Sequence, residues 1–68
     1  MKRQHIINRR KELKITQEEV AAVAGISRSS YAAIELGLRN PSLKVAQKIC
    51  FILKVEVNTA FPLDEIEK

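Results

Sequence analysis

Apolar residues recur at three- and four-residue steps along most of this 68-residue chain, a spacing that predicts helices and leaves no convincing strand. Ile6, Arg10 and Leu13 share one face of a first helix over about residues 3–13. Val20, Ala24, Ile26, Tyr31 and Ile34 fall where two further helices, over about 17–24 and 28–36, would cross and share a core. Ala21 is small where the two backbones must approach. Leu43, Ala46, Ile49, Cys50 and Leu53 form the inward stripe of a fourth helix over about 43–54. A short fifth helix over about 56–61 stops at Pro62, and the stretch from Phe61 to Ile66 is the one candidate for extended backbone. The pattern predicts an all-α fold, a compact bundle of about five helices forming one small domain over residues 1–68.

The boundaries carry their own chemistry. Thr16 and Glu19 have the spacing of a capping box, in which hydroxyl and carboxylate satisfy each other's orphan backbone N–H groups. Gly25 stands where a helix end needs a left-handed residue, Ile26 anchors the turn, and Ser27 restarts the chain as an N-cap. Gly37 marks a second stop, and Asn40-Pro41-Ser42 turns the chain and caps the fourth helix. Residues 17–36 therefore read as two short helices folded across a glycine turn, the plan of a DNA-reading helix-turn-helix.

Charge supports a polyanionic partner. The net charge is +4, and Lys2, Arg3, Arg9, Arg10, Lys11 and Lys14 crowd the first fourteen residues against Glu12 alone. Glu56, Asp64, Glu65 and Glu67 weight the other end, so the basic end is expected to face phosphate and the acidic tail to turn away. Cys50, the single cysteine, lies in an apolar run as a buried thiol, and the lone His5 lacks a partner at ligand spacing, so no metal or cofactor is expected. No nucleophile has a base near it, which argues against an enzyme. Without an N-terminal leader or a long apolar span, a cytoplasmic protein with no membrane contact is expected.

The combination of Arg10, Thr16-Gln17-Glu18-Glu19, Ala21, Gly25, Ser27-Arg28, Ile34-Glu35, Gly37, Asn40-Pro41-Ser42-Leu43, Ala46, Ile49 and Leu53 resembles the Cro and lambda-repressor-type helix-turn-helix proteins, the XRE family, over about residues 6–61. The resemblance implies double-stranded DNA as partner and a dimeric repressor that binds a palindromic operator. It places Ser27, Arg28, Ser29, Ala32 and Ala33 in the major groove and sets Gln17, with its neighbour Thr16, on phosphate. It also pairs Arg10 with Glu35. An arginine on the inner face of the first helix needs such a carboxylate unless it snorkels to solvent or DNA. Arg28 offers a planar fork that suits guanine O6 and N7, with phosphate as its alternative partner. Asn40 and Ser42 are a second candidate phosphate clamp, or they only shape the turn and cap the fourth helix.

Ala33 stands where many such proteins carry a long polar side chain, and Ala32 is short too. Their methyl groups can meet thymine methyls or merely allow close approach. Weak base readout keeps a second class open: a protein-interaction module of the same fold, such as an antitoxin or anti-repressor partner. RNA binding is less favoured, because three aromatic residues make no stacking platform. Phe51 and Ile52 point away from the inward stripe of the fourth helix, and Phe61, Leu63 and Ile66 follow, with Leu38 at the edge. Together they are expected to form a homodimer interface. A chain of this length offers little space for a small-molecule effector pocket.

Overall fold

The first four helices all stop by one backbone device, which fixes where each short rod ends. The computed structural model describes residues 2–67, with α1 at Gln4–Glu12, α2 at Gln17–Ala24, α3 at Arg28–Glu35, α4 at Leu43–Leu53 and α5 at Val57–Ala60. After α2, Gly25 takes φ +74° while its N–H reaches Ala22 O and the N–H of Ile26 reaches Ala21 O. This paired closure satisfies two carbonyls that the helix leaves orphaned. Gly37 repeats it after α3 at φ +75°. Lys14 and Lys54, both at φ 58°, perform the same closure after α1 and α4, where the sequence carries no glycine to announce it.

Helix starts are equally explicit. Thr16 and Glu19 form the capping box, with Glu19 N–H donating to Thr16 Oγ1 at 3.1 Å and Thr16 N–H donating to Glu19 Oε1 at 2.9 Å. Ser27 accepts from Ser30 N–H, and Ser42 from Val45 N–H, at the starts of α3 and α4.

Within this frame α2 packs on both α3 and α4, while α1 lies across α3 and α4. Ala21 and Ala24 on α2 and Ala46 on α4 are buried, and their small side chains let the backbones approach. Tyr31, Phe61, Ile6, Ile49, Leu53 and Val20 are the largest side chains fully inside. The Cys50 thiol is buried with them, and burial pushes it up to about 11, so it remains a neutral core group at physiological pH.

The polar side of α1 fastens the bundle. Arg9 Nε donates to Leu53 O at 2.9 Å, Arg10 Nη1 to Ile15 O at 3.0 Å, and His5 Nε2 meets Ala60 O at 2.8 Å, where it must be the donor because a carbonyl only accepts. Arg3, just ahead of α1, donates to Ile34 O and Arg39 O. These carbonyls lie at or near helix ends, where cationic donors also complement the helix dipole. Arg3, Arg9 and Arg10, expected among a phosphate-facing group, are thus engaged within the chain, while Lys2, Lys11 and Lys14 are exposed.

Several expectations need correction. Phe61 does not lie on an interface surface: it is fully buried, because the chain turns at Phe61-Pro62 and drives the ring under the Arg3 guanidinium, 5.3 Å from Cζ to ring centroid. Leu43, placed on the inward stripe of α4, is exposed: it is the first residue of that helix and lines a surface concavity with Leu63 and Ile66 of the tail. The tail is not a strand but a 3-10 turn over Leu63–Glu65 followed by a single parallel bridge between Ser42 and Glu67. Among the described residues no helix is long and apolar enough to cross a membrane.

The buried position of Phe61 gives a direct check. Phe61→Ala should lose about 3–5 kcal/mol of unfolding free energy in urea titrations, the range for removing a packed aromatic ring. A loss below about 1 kcal/mol would return Phe61 to the surface.

Candidate nucleic-acid interface

Glu35, the last residue of α3, is only 2% exposed, and a carboxylate so placed must be surrounded by donors. Arg10 Nε lies 2.7 Å from Glu35 Oε2 and Arg10 Nη2 lies 3.4 Å from Oε1. Gln17 Nε2 donates to the same Oε1 at 2.9 Å, and Arg28 Nη1 in turn donates to Gln17 Oε1 at 3.1 Å. A single chain of polar contacts therefore runs from the core to the exposed start of α3. Burial pushes the Glu35 carboxyl up, but donors led by Arg10 outweigh it, and the carboxyl lies below its usual range. Burial, and then the adjacent Glu35 charge, push the Tyr31 phenol far above its ordinary value.

At the outer end of this chain, Arg28 and Ser29 are exposed on the first turn of α3, with Ala32 and Ala33 half-buried one turn later. Ser27 is tied up as the cap: its Oγ accepts from Ser30 N–H at 3.1 Å and donates to Ser30 Oγ at 2.9 Å. That leaves Ser27 less able to donate than Ser29, whose hydroxyl sits 3.2 Å from Ser27 Oγ.

Two concavities flank α3. The first, a shallow groove of about 570 Å³, is lined by Arg10, Lys11, Lys14, Thr16, Gln17 and Arg28 among others. Thr16 uses a lone pair for the cap and keeps its O–H as a donor. The second, about 210 Å³, brings Arg39, Asn40 and Ser42 beside Ser30 of α3. Ser42 likewise caps with a lone pair and keeps its O–H. Glu67 also lines this second concavity, with its N–H donating to Pro41 O at 2.7 Å. The acidic tail therefore does not turn away from the candidate clamp but lies along its edge.

Arg3 is the residue that sequence reasoning missed. Grouped with the diffuse basic charge of the N-terminus, it is instead only 6% exposed and its Nη2 donates to Asn40 Oδ1 at 2.6 Å. Its place just before α1 gave no periodic signal, because its partners lie more than thirty residues away in sequence. Of the expected interface side chains, Phe51, Leu63 and Leu38 are 82%, 78% and 77% exposed, while Ile52 and Ile66 are half-buried against the core.

Comparison with known proteins fits this geometry. A family model described as helix-turn-helix matches residues 6–58. An uncharacterized HTH-type transcriptional regulator of Archaeoglobus fulgidus is 38% identical over 58 residues, covering 85% of this chain and 82% of that protein. The SinR chain of a SinR–SinI complex superposes with a TM-score of 0.77 at 34% identity, over 94% of this chain and 63% of that one. SinR, described as the master regulator for biofilm formation and crystallised with DNA, superposes at 0.75 with 36% identity, over 88% of this chain and 97% of that one.

The Glu35 network sets an acid limit on the fold. Because the folded chain binds the Glu35 proton less tightly than the unfolded chain, the pair stabilises fully above the ordinary carboxyl value of 4.5 and loses that contribution as pH falls below it. Glu35→Gln should flatten this acid dependence in thermal melts recorded from pH 7 to pH 3. Glu35→Ala, which leaves Arg10 unpaired, should cost about 3–5 kcal/mol at neutral pH. Superimposable acid profiles for wild type and Glu35→Gln would remove the network from the stability of the fold.

Proposed function

The chain belongs to the helix-turn-helix family of DNA-binding transcription regulators, a non-enzymatic class, and from that premise we propose that it binds a palindromic operator as a homodimer in the cytoplasm and represses transcription by blocking polymerase. One observation carries the DNA-reading part. Two helix N-caps, each of which keeps a hydroxyl proton to donate, line the concavities beside α3, Thr16 with Arg28 and Ser42 with Ser30. Helix N-termini attract phosphate through unpaired N–H groups and the dipole, so two of them beside α3 suit a duplex whose groove receives that helix. The exposed Lys11 and Lys14 add charge on the Thr16 side, and Arg39 on the Ser42 side. The likeness to SinR crystallised with DNA supports a duplex as the ligand.

Arg28 is the leading base-reading side chain. Its contact with Gln17 engages Nη1, while the other donors remain for guanine O6 and N7. Gln17 keeps a second Nε2 hydrogen for phosphate after donating to Glu35. Ala32 and Ala33 supply methyl contact to thymine. Selection from random duplex DNA should enrich a palindrome, and Arg28→Ala should relax preference at one base pair per half-site at a cost of about 1–3 kcal/mol, leaving non-specific binding nearly intact. Absence of any enriched sequence would favour the protein-interaction reading. Equal weakening on every duplex would make Arg28 a phosphate contact.

The dimer rests on exposed apolar side chains. Phe51 on α4 is largely exposed, and Leu43, Leu63 and Ile66 line a concavity of about 530 Å³ edged by Asp64 and Glu67. A small domain gains stability by burying such a surface against its symmetry mate, and a two-fold pair would set the α3 helices about 34 Å apart, one turn of B-DNA. Sedimentation at micromolar concentration should give a dimer for wild type and a monomer for Phe51→Glu. A monomeric wild type, or a dimeric Phe51→Glu, would overturn this interface.

A further inference from the structure

Arg3 joins three parts of the chain that sequence separates. Its backbone N–H donates to Glu35 O at 2.7 Å. Its Nη1 donates to Ile34 O at 2.6 Å and to Arg39 O at 3.0 Å, its Nη2 donates to Asn40 Oδ1 at 2.6 Å, and its Nε faces Glu65 Oε1 at 3.3 Å. The ring of Phe61 lies under the guanidinium. With both its nitrogen termini and its flat face occupied, the guanidinium has one orientation.

That orientation decides the Asn40 amide. A guanidinium has donors only, so the Asn40 atom that meets it has to be the carbonyl oxygen, and Nδ2 is left on the other side of the amide. Asn40 itself is exposed and lines the concavity that holds Ser42. We infer that Arg3 is a positioning residue for DNA binding, holding the Asn40 amide with Nδ2 outward so that it donates to a backbone phosphate. The inference rests on the reading of Asn40 as a phosphate contact. An untethered asparagine at the surface rotates, and half of its amide orientations present oxygen to the phosphate, which repels it. Fixing the amide before DNA arrives removes that ordering cost from the binding step. Arg3 thereby acts on DNA through Asn40 without reaching the duplex.

A double-mutant cycle tests this on the duplex recovered by selection, with Asn40→Ala, Arg3→Met and the double variant compared at a temperature where circular dichroism shows all of them folded. Asn40→Ala should weaken binding about tenfold, the scale of one hydrogen bond to a charged group. Arg3→Met should weaken it by about two- to tenfold, the cost of ordering one freed side chain, when Asn40 is present and by little when it is absent. The factor lost on Arg28→Ala should be the same with either residue at position 3, which a general loosening of the fold would not leave unchanged. Effects of Arg3→Met and Asn40→Ala that simply multiply overturn the inference while leaving Asn40 on phosphate. No effect of Asn40→Ala overturns both. If Arg3→Met fails to fold, nitrogen relaxation of the Asn40 side-chain amide in the free wild-type protein decides: an order parameter near that of rigid backbone supports a held amide, and one below about 0.6 overturns it.

Discussion

Burying the Glu35 carboxylate is the constraint on which the packing of α1, α2 and α3 and the exposed start of α3 depend. A charge withdrawn from water is tolerated only when donors converge on it, and here the donors come from separate elements: Arg10 from α1 and Gln17 from the start of α2. Satisfying Glu35 therefore fixes the mutual placement of three helices. Gln17, once held by Glu35, presents its oxygen to Arg28, so the one basic side chain of α3 is linked to a group in the core. The buried ion pair and the exposed Arg28 share one set of hydrogen bonds.

A second theme is the use of nitrogen-bearing side chains as internal fasteners. Short helices leave a large share of their backbone carbonyls without partners, and the basic side chains in and before α1 supply donors for several of them. Arg9 meets the end of α4, His5 the end of α5, and Arg3 the end of α3 and the loop beyond it. The positive charge that looked like a uniform phosphate-facing end is divided in two. Arg3, Arg9 and Arg10 close the fold, and Lys2, Lys11, Lys14, Arg28 and Arg39 stay exposed. Arginine suits the internal role because its planar fork holds several acceptors at once.

The acidic tail shows how far charge pattern alone can mislead. Its carboxylates were expected away from the phosphate side, yet Glu65 faces Arg3 and Glu67 pairs with the loop before α4. Half-buried Ile66 anchors that path against the core, so apolar burial, not repulsion between distant charges, sets where the tail lies.

Local physics was sufficient for the elements and for their punctuation. The capping box at Thr16, the glycine stops at 25 and 37, and the serine caps at 27 and 42 involve groups within a few residues of one another, so their spacing in the sequence is their chemistry. The family pattern joined Arg10 to Glu35 because both residues belong to it. The left-handed stops at Lys14 and Lys54 were not legible, since lysine carries no preference for that conformation and it shows only in the closing hydrogen bonds of the folded backbone. Leu43 and Phe61 exchanged the expected inside and outside for a related reason: helical periodicity gives a face, but only the neighbouring helices decide how far along the helix that face is covered. Arg3 was hidden most completely, because its acceptors come from residues 34, 39 and 40 and its carboxylate partner from residue 65, and only the closed bundle brings them to one guanidinium. The sequence by itself determined the helices, their N-caps and the glycine stops of α2 and α3, because each of these is made by groups a few residues apart. Tertiary structure decided which charges are turned inward, because that choice depends on backbone carbonyls whose positions no local pattern encodes.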